Sequence, residues 1–495
     1  WLYHRPGSEI FIDTAPATLL LAFFALSINV ILGCGLGILA ALFDGRKIGV
    51  ALDSLSLALY ATPTFWLAMM LIFVFSIKLQ WLPVSGMQSL YASGSTLKTI
   101  LDRARHVLLP AAILGLAGAV ATMRFVRASM IEIIFSTSVA EAHFSQRTAA
   151  GDHTTRHGCA GTAQRCADHR SDFCLARHGQ ADVRGDAGKR LSGGAGCQFF
   201  GWLFGDCRQS VDGFHLSMGR SPGADMMRTN QLHRRRLLAG CLLLVQIGLF
   251  AAAAPWLSPH APDTQNPSEA TRLQAPSASH PCGTDQFGRD LFSRILHGGR
   301  ISLSIGLLTM LIAVAIGTLY GALSGYLGGL LDVAMMRIVD LFLAFPLIFL
   351  VATCLTLFGN KPIWLIGILS LTAWPDIARL VRAEVLSLKN RAFVRRAHAS
   401  GLPRWRVLLR HLLPNVMTTV AAVAVLRMVD IILVESAMSV LGLGVQPRTA
   451  TWGAILCDGR ASLATAWWIA FFPGLAIVLS TVGLHLLGEG LQRVR

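Results

Sequence analysis

Charged side chains are scarce in this sequence. Asp, Glu, Lys and Arg make up 14% of its 495 residues, whereas a soluble globular chain carries roughly 25%. A density that low leaves too little polar surface to coat water-soluble domains. With 53% hydrophobic residues, the composition excludes intrinsic disorder and argues against an ordinary cytosolic enzyme. Acidic residues are the scarcer sign, 27 against 43 basic ones, for a formal net charge of +16. No aromatic-interleaved basic face or nucleic-acid reader module accompanies that charge, so no nucleic-acid partner is expected. Arg and Lys collect instead in the cytoplasmic loops of membrane proteins, facing anionic headgroups.

Several catalytic signatures are missing as well. A phosphate-binding GxxxxGK[ST] loop is absent: Gly188-Lys189 has Val183 where the first glycine belongs and Arg190 where Ser or Thr is required. The chain therefore brings no ATPase of its own. HExxH does not occur, and no catalytic, cofactor-binding or metal-ligating residue is expected. The cysteines build no disulfide framework; Cys34, Cys241 and Cys354 sit inside apolar runs, where cysteine behaves as a small hydrophobe. No cleavable signal peptide is visible, and the chain opens on Trp1 rather than Met, so its start reads as processed or truncated.

Long apolar runs are what the sequence has in abundance. A helix needs about 20 apolar residues to cross a bilayer core about 30 Å thick, because lipid offers its backbone no hydrogen-bond partner. A first block supplies three such runs: Ala17 to Leu42, Leu55 to Ile77 and Val107 to Val126. A second block supplies six: Leu237–Leu257, Ile301–Tyr326, Val333–Phe358, Pro362–Val381, Val416–Leu441 and Thr465–Leu487. The fold class expected is all-α, a polytopic transmembrane bundle of about nine spans. The cations orient it. His233-Arg234-Arg235-Arg236 precedes the first helix of block two, and Leu386 to His411 carries Lys389, Arg391, Arg395, Arg396, Arg404, Arg406 and Arg410. Four crossings separate these clusters, so both face the cytoplasm, while Ser258–Gly299 falls outside and Arg493 and Arg495 end inside. In block one, Arg46-Lys47 and Arg124/Arg127 mark the inside.

Between the blocks the chemistry changes. Residues Thr148 to Arg190 show neither helical nor strand periodicity, and Cys159, Cys166, Cys174, Cys197 and Cys207 crowd this region. The organisation expected is 1–134, 135–225 and 226–495, the middle part irregular. Cys159, Cys166, His169, Cys174 and His178 are allowed metal ligands, although no paired zinc-type spacing recurs. A disordered linker is a second reading, and a frame-shifted translation a third. For the third, Asp225-Met226-Met227 can be encoded only as GAY ATG ATG, which holds a TGA stop one base later, overlapping a potential start at Met226.

The sharpest local pattern is the cytoplasmic stretch Glu384 to Asn415. It reads as two short helices, Arg391–Ala399 and Arg404–Leu412, split by Ser400-Gly401-Leu402-Pro403. Gly401 can close the first helix in a left-handed conformation and Pro403 can open the second, while Pro414 stops the second before the membrane is re-entered. The result is a basic helix–turn–helix at the membrane surface. Ahead of the Ile301 run, Gly283-Thr284-Asp285-Gln286-Phe287-Gly288-Arg289-Asp290 reads as a turn-rich segment at the outer interface, its Asp and Arg residues pairing with one another or with headgroups. Pro63 should kink its helix and free backbone carbonyls toward the bundle interior, either at a transport pathway or as a packing kink. Asp340 and Asp430 are costly in apolar segments; Arg337 and Arg427, three residues before them, supply same-face partners.

These motifs carry a resemblance. Block two resembles the C-type permease subunit of ABC transporters of the dipeptide/oligopeptide/nickel class, through the Gly283–Asp290 segment and through the loop in which Glu384, Phe393, Ala397, Gly401, His411, Leu413, Pro414 and Asn415 fall. Gly401 and Leu413-Pro414 match the family's spacing, whereas Arg395-Arg396-Ala397 stands where the family usually has Glu-Ala-Ala. Block one is similar to the partner B-type subunit, through Pro16-Ala17-Thr18-Leu19, Thr62-Pro63-Thr64-Phe65-Trp66, Trp81-Leu82-Pro83-Val84-Ser85-Gly86 and Arg127-Ala128-Ser129-Met130-Ile131-Glu132. It breaks off where that family's coupling loop would follow. The resemblance implies a multi-pass permease subunit of a binding-protein-dependent importer in the bacterial inner membrane. Its partners would be cytoplasmic ATP-binding subunits, which use the ATP, a periplasmic or extracellular solute-binding protein and a second permease subunit. The solute implied is a di- or oligopeptide, or nickel or a similar small solute. Two other readings stand beside it: a membrane-anchored metal-binding or sensory protein using the Cys/His stretch, and a non-functional fused product of two permease genes.

Overall fold

The structure, a computed structural model, describes residues 7–89, 96–154, 222–265, 271–445 and 449–492. The chain divides into two compact units, residues 1–131 with 231–495 and residues 132–230. Cys159, Cys166, Cys174, Cys197, Cys207, His169 and His178, together with Arg493 and Arg495, lie outside the described residues. In the second unit the described residues belong to helices: α4 continues through Thr154, and α5 begins at Pro222.

The helices of block one are α1 (Gly7–Leu42), α2 (Lys47–Ala61), α3 (Thr64–Leu71), which runs on as a π-helical stretch Ile72–Lys78, and α4 (Thr96–Thr154). Block two holds α5 (Pro222–Ala252), α6 (Ala254–Leu257), α7 (Leu291–Leu327), α8 (Gly329–Ala344), α9 (Leu347–Phe358) and α10 (Pro362–Leu388). After these come α11 (Ala392–Ala399), α12 (Arg404–Val407), the π-helical turn Leu408–Leu412, α13 (Leu413–Val440), α14 (Trp452–Ala461) and α15 (Trp468–Gln492).

Among the described residues, six helices are long and apolar enough to cross a membrane, and eight if each of two bent pairs counts as one span. The bent pairs are α2 with α3 and its π-helical extension, at 101°, and α8 with α9, at 83°. The ninth expected crossing is a shorter apolar helix, Arg236–Ala252. All nine apolar runs of the sequence therefore fold as helix. Where the sequence suggested a kink at Pro63, the helix breaks outright. Thr62 and Pro63 are both extended (ψ 126° and 127°), and α3 restarts at Thr64. The break frees the carbonyl of Ala61, and the Thr481 hydroxyl of α15 donates to it at 2.7 Å. A hydroxyl thus replaces the missing backbone donor, as lipid-embedded backbone requires.

The centre of block two is the pairing of α7 with α10. Gly317, Gly321 and Gly325 repeat every four residues along one face of α7, so they line up down the helix. A Cβ at Gly317 would stand 2.7 Å from the Trp374 carbonyl oxygen, and one at Gly325 2.9 Å from that of Arg382; at Gly321 it would collide with Ala378. Only hydrogen fits at these places, and the close approach maximises dispersion contact where the hydrophobic effect between helices is lost. Around this seam Ile305, Ala313, Ala322, Leu369, Ile377, Ala378, Val381 and Val385 are buried.

Block one packs on α15 within the same unit. The Trp66 indole N–H donates to the Ala470 carbonyl at 3.0 Å, and Met69 is buried with Ile477 and Leu484. Arg124 pairs with Glu489, and Arg127 spans Asp44 (2.7 Å) and Asp53 (2.8 Å). Asp340 has a second partner beyond the expected same-helix arginine, while Asp430 pairs with Arg427 as expected. Arg379 of α10 stands 2.7 Å from Asp340, closer than Arg337 at 3.9 Å. Arg427 bridges Asp430 at 3.3 Å and Asp376 at 3.4 Å. The Arg379–Asp340 and Arg427–Asp376 pairs cross between helices because α10 lies beside both α8 and α13, which sequence spacing alone does not reveal.

Candidate functional site

The basic segment builds from its turn outward. At the end of α11 the N–H of Gly401 donates to the His398 carbonyl and that of Leu402 to Ala397, at 3.0 and 3.3 Å. This 5→2 and 6→1 pair is a Schellman motif, which requires a left-handed residue between; Gly401 supplies it with φ +76°. Pro403, extended at φ −65° and ψ 147°, then precedes Arg404 at the start of α12. The outcome departs from the sequence reading further on. Pro414 does not stop the helix: α12, the π-helical turn Leu408–Leu412 and α13 run on as one apolar span, Arg404–Val440. Proline lacks an N–H and crowds the preceding turn, and Pro414 sits in the first turn of α13, directly after the π-helical turn. The basic pair is thus continuous with a membrane helix.

Its two faces differ. Val394 and Ala397 of α11 and Val407, Leu408 and Leu412 beyond the turn are buried, with Phe393, Leu402 and Leu413 packed against them. Arg391, Arg395, Arg396, Arg404, Arg406 and Arg410 are exposed on the other side. Pro414 and Asn415 are exposed, His411 and Glu384 partly so; the Asn415 amide donates to the His411 carbonyl at 2.6 Å. The pair is tied to the helix seam. His398 Nε2 lies 3.3 Å from the Tyr326 hydroxyl at the end of α7, and the two rings stack. One turn away, Asp332 of α8 takes the Arg382 guanidinium with two oxygens, at 2.5 and 2.6 Å, and accepts from Ser324 of α7. Lys389 donates to the Gly325 carbonyl at 3.1 Å. Polar contacts thus tie α11 to the end of α7, and α7 in turn to α8 and α10.

The Gly283–Asp290 segment is a buried junction. Gly283 (φ +81°) packs on Trp468, and Thr284, Asp285, Arg289 and Asp290 are buried. Asp285 Oδ1 accepts the N–H groups of Phe287 and Arg289, both at 2.9 Å. Asp285 Oδ2 faces Arg289 Nε at 2.6 Å and Arg294 Nη1 at 2.5 Å, and Asp458 of α14 takes both guanidinium groups at 3.1 Å. Asp290 caps α7, its Oδ2 accepting from the Ser293 N–H and hydroxyl at 2.8 and 2.6 Å. Of the two partner sets considered for these charges, the structure pairs them with one another. Gly288, at φ +72°, makes the intervening turn.

Sequence reasoning missed Glu435, buried in α13. It accepts from Ser439 at 3.2 Å and Ser436 at 3.3 Å, with Thr451 and Ser302 also bonded to it. A second acid beside Asp430 in one apolar run was a weak signal, and its partners come from three elements.

A multi-pass helical membrane protein with an amphipathic basic helix pair on its connecting loop is what fold and site define. Two family profiles match it: "Binding-protein-dependent transport system inner membrane component", over residues 33–142 and 317–494, and "N-terminal TM domain of oligopeptide transport permease C", over 221–276. The chain belongs to the binding-protein-dependent transport permease family. It is 38% identical to the oligopeptide transport system permease protein OppC of Haemophilus influenzae, over 55% of this chain and 88% of that protein. It is 37% identical to the dipeptide transport system permease protein DppC of Bacillus subtilis, over 52% and 79%. To the glutathione transport system permease protein GsiD of Pectobacterium atrosepticum it is 36% identical, over 55% and 90%. The chain is accordingly a transport permease of the peptide importer family rather than an enzyme.

Proposed function

We propose that this chain is the membrane subunit of an inner-membrane importer for di- or oligopeptides, driven by ATP-binding subunits in other chains and supplied by a solute-binding protein. The observation that carries the reading is the α11–α12 pair. A docking element must show a distinctive face to its partner and transmit force without yielding. Here an arginine-rich face is open, and the opposite face is buried against the α7–α10 seam. Closure of the ATPase would move that pair as a rigid body and tilt the attached helices. Glu384, Phe393, Ala397, Gly401, His411, Leu413, Pro414 and Asn415 are the proposed coupling residues, Gly283 to Asp290 the proposed outer junction and Pro63 a pathway-side break. The peptide substrate follows the printed names of the OppC and DppC relatives; nickel is the alternative cargo. The test is uptake of a labelled dipeptide, with nickel as competitor, in cells lacking other peptide permeases and supplied with the chain and its partner subunits. Uptake at the level of the empty strain overturns the reading.

A second reading has its own support: the chain joins pieces of two permeases. The permease profile matches in two separate stretches, while the curated relatives align to just over half of the chain. Residues 1–134 would be a B-type piece, 226–495 a C-type subunit, and 135–225 the product of a shifted frame. Resequencing around the Ile134 codon tests it, and a peptide from residues 150–220 in native cells would overturn it. The metal-binding or sensory alternative rests on Cys/His ligands outside the described residues.

A further inference from the structure

Between α6 and α7 the chain doubles back and sets His260 face to face with His280. Their ring centroids lie 4.9 Å apart, the planes tilted by 30°. His280 Nδ1 stands 2.9 Å from Asp290 Oδ1, and the Asp290 side chain is 1% exposed. The other oxygen of Asp290 is held by the Ser293 N–H and hydroxyl at the start of α7, so the carboxylate cannot swing away. The Ser293 hydroxyl also accepts from the His260 N–H at 3.4 Å, anchoring both histidines to one helix end. The potential ligand atoms of His260, His280 and Asp290 all lie within 4.8 Å of one another. All three precede the membrane-spanning helix that starts at Leu291.

One carboxylate can pair with one imidazolium. A second imidazole stacked on the first is surplus to that pairing, and two protonated rings would repel. A shared cation gives both rings a role, because neutral imidazole nitrogens and a carboxylate are the donors that first-row divalent metals take. Tetrahedral ligands at about 2.0–2.1 Å from zinc stand roughly 3.3 Å apart. The His280–Asp290 pair would need to open only slightly when a metal replaces the proton between them. His260 is exposed, which leaves a way in for the ion and a position for water. The ligands lie twenty and ten residues apart in the sequence, outside every short-spaced metal motif, so sequence reading passed over them.

We propose that His260, His280 and Asp290 bind a divalent transition metal of the zinc type, with water completing the coordination, and that the ion clamps the segment after α6 to the N-terminus of α7. The full-length protein, purified in detergent, would be treated with diethylpyrocarbonate with and without zinc chloride, and modification read histidine by histidine by peptide mass spectrometry. Zinc should slow modification of His260 and His280, because an imidazole whose lone pair is on a metal has no free nitrogen to attack the reagent, and EDTA should restore it. In His280→Ala, modification of His260 should become indifferent to zinc; in His260→Gln, a change at an exposed side chain, so should that of His280. The readout is local, so zinc held by cysteines elsewhere does not move it. Unprotected histidines in the native protein overturn the proposal, as does protection of either histidine that survives loss of the other.

Discussion

Arg294 Nη1 lies 2.5 Å from Asp285 Oδ2, and neither side chain is more than 1% exposed. With Arg289 and Asp458 they form a set of two cations and two anions joining the segment before α7 to α14. Burying Asp285, Arg289 and Arg294 is costly, and the cost is met only while each has its counterion, the partly exposed Asp458 included. Removing one leaves an uncompensated charge. Asp285→Ala should therefore lower stability by about 3–5 kcal/mol, read as a fall in the unfolding midpoint of the detergent-solubilised protein. Asp285→Asn should fall between, since its oxygen still accepts the Phe287 and Arg289 N–H groups. Equal stability of all three proteins would mean that the ion set carries no weight.

Gly401 separates conformation from space. A Cβ built there meets nothing within 4 Å, but φ is +76°. The cost of a side chain is thus purely of backbone, about 1–2 kcal/mol for an ordinary L-residue. Gly401→Val should distort the turn between α11 and α12 and abolish peptide uptake, while membrane levels of the protein stay unchanged on immunoblots. Gly401→Asn should keep most uptake, because asparagine tolerates the left-handed region. Full uptake by the valine variant would remove the helix pair from the coupling route.

Gly321 presents the opposite case. Its φ is ordinary, and the space is taken by the Ala378 backbone. Gly321→Leu should force α7 from α10 and reduce the amount of protein in the membrane, whatever the activity of the remainder. Gly248, which faces open space, is the control: Gly248→Leu should leave the level unchanged.

The expected helix positions were legible because the bilayer imposes a length and a polarity that few other structures satisfy. The turn at Gly401 was legible because glycine followed by proline leaves few backbone choices. The fate of Pro414 was not. Local rules place a break there, but the buried Val407, Leu408 and Leu412 favour continuing the helix, and a π-helical turn lets it continue. Inter-helix partners such as Arg379 for Asp340, Thr481 for Ala61 or Thr451 for Glu435 depend on which faces meet. Hydropathy is silent on that, just as it was silent on the meeting of His260 and His280.

The packing of block one on α15 yields the last prediction. Trp66 donates to the Ala470 carbonyl and sits against Gly474, while Arg124 pairs with Glu489 at the far end of the same helix. A partly buried indole contributes mostly through apolar area and secondarily through its single hydrogen bond. An arginine pair this exposed adds at most about 1 kcal/mol. A protease site inserted after Gly185 would cut the chain between the blocks. The first block should then co-elute with a C-terminally tagged second block from detergent extracts. Trp66→Ala should release most of it, and Arg124→Ala little. Separation of the unmutated halves on cutting would mean that the covalent link, and not the α15 surface, keeps them together.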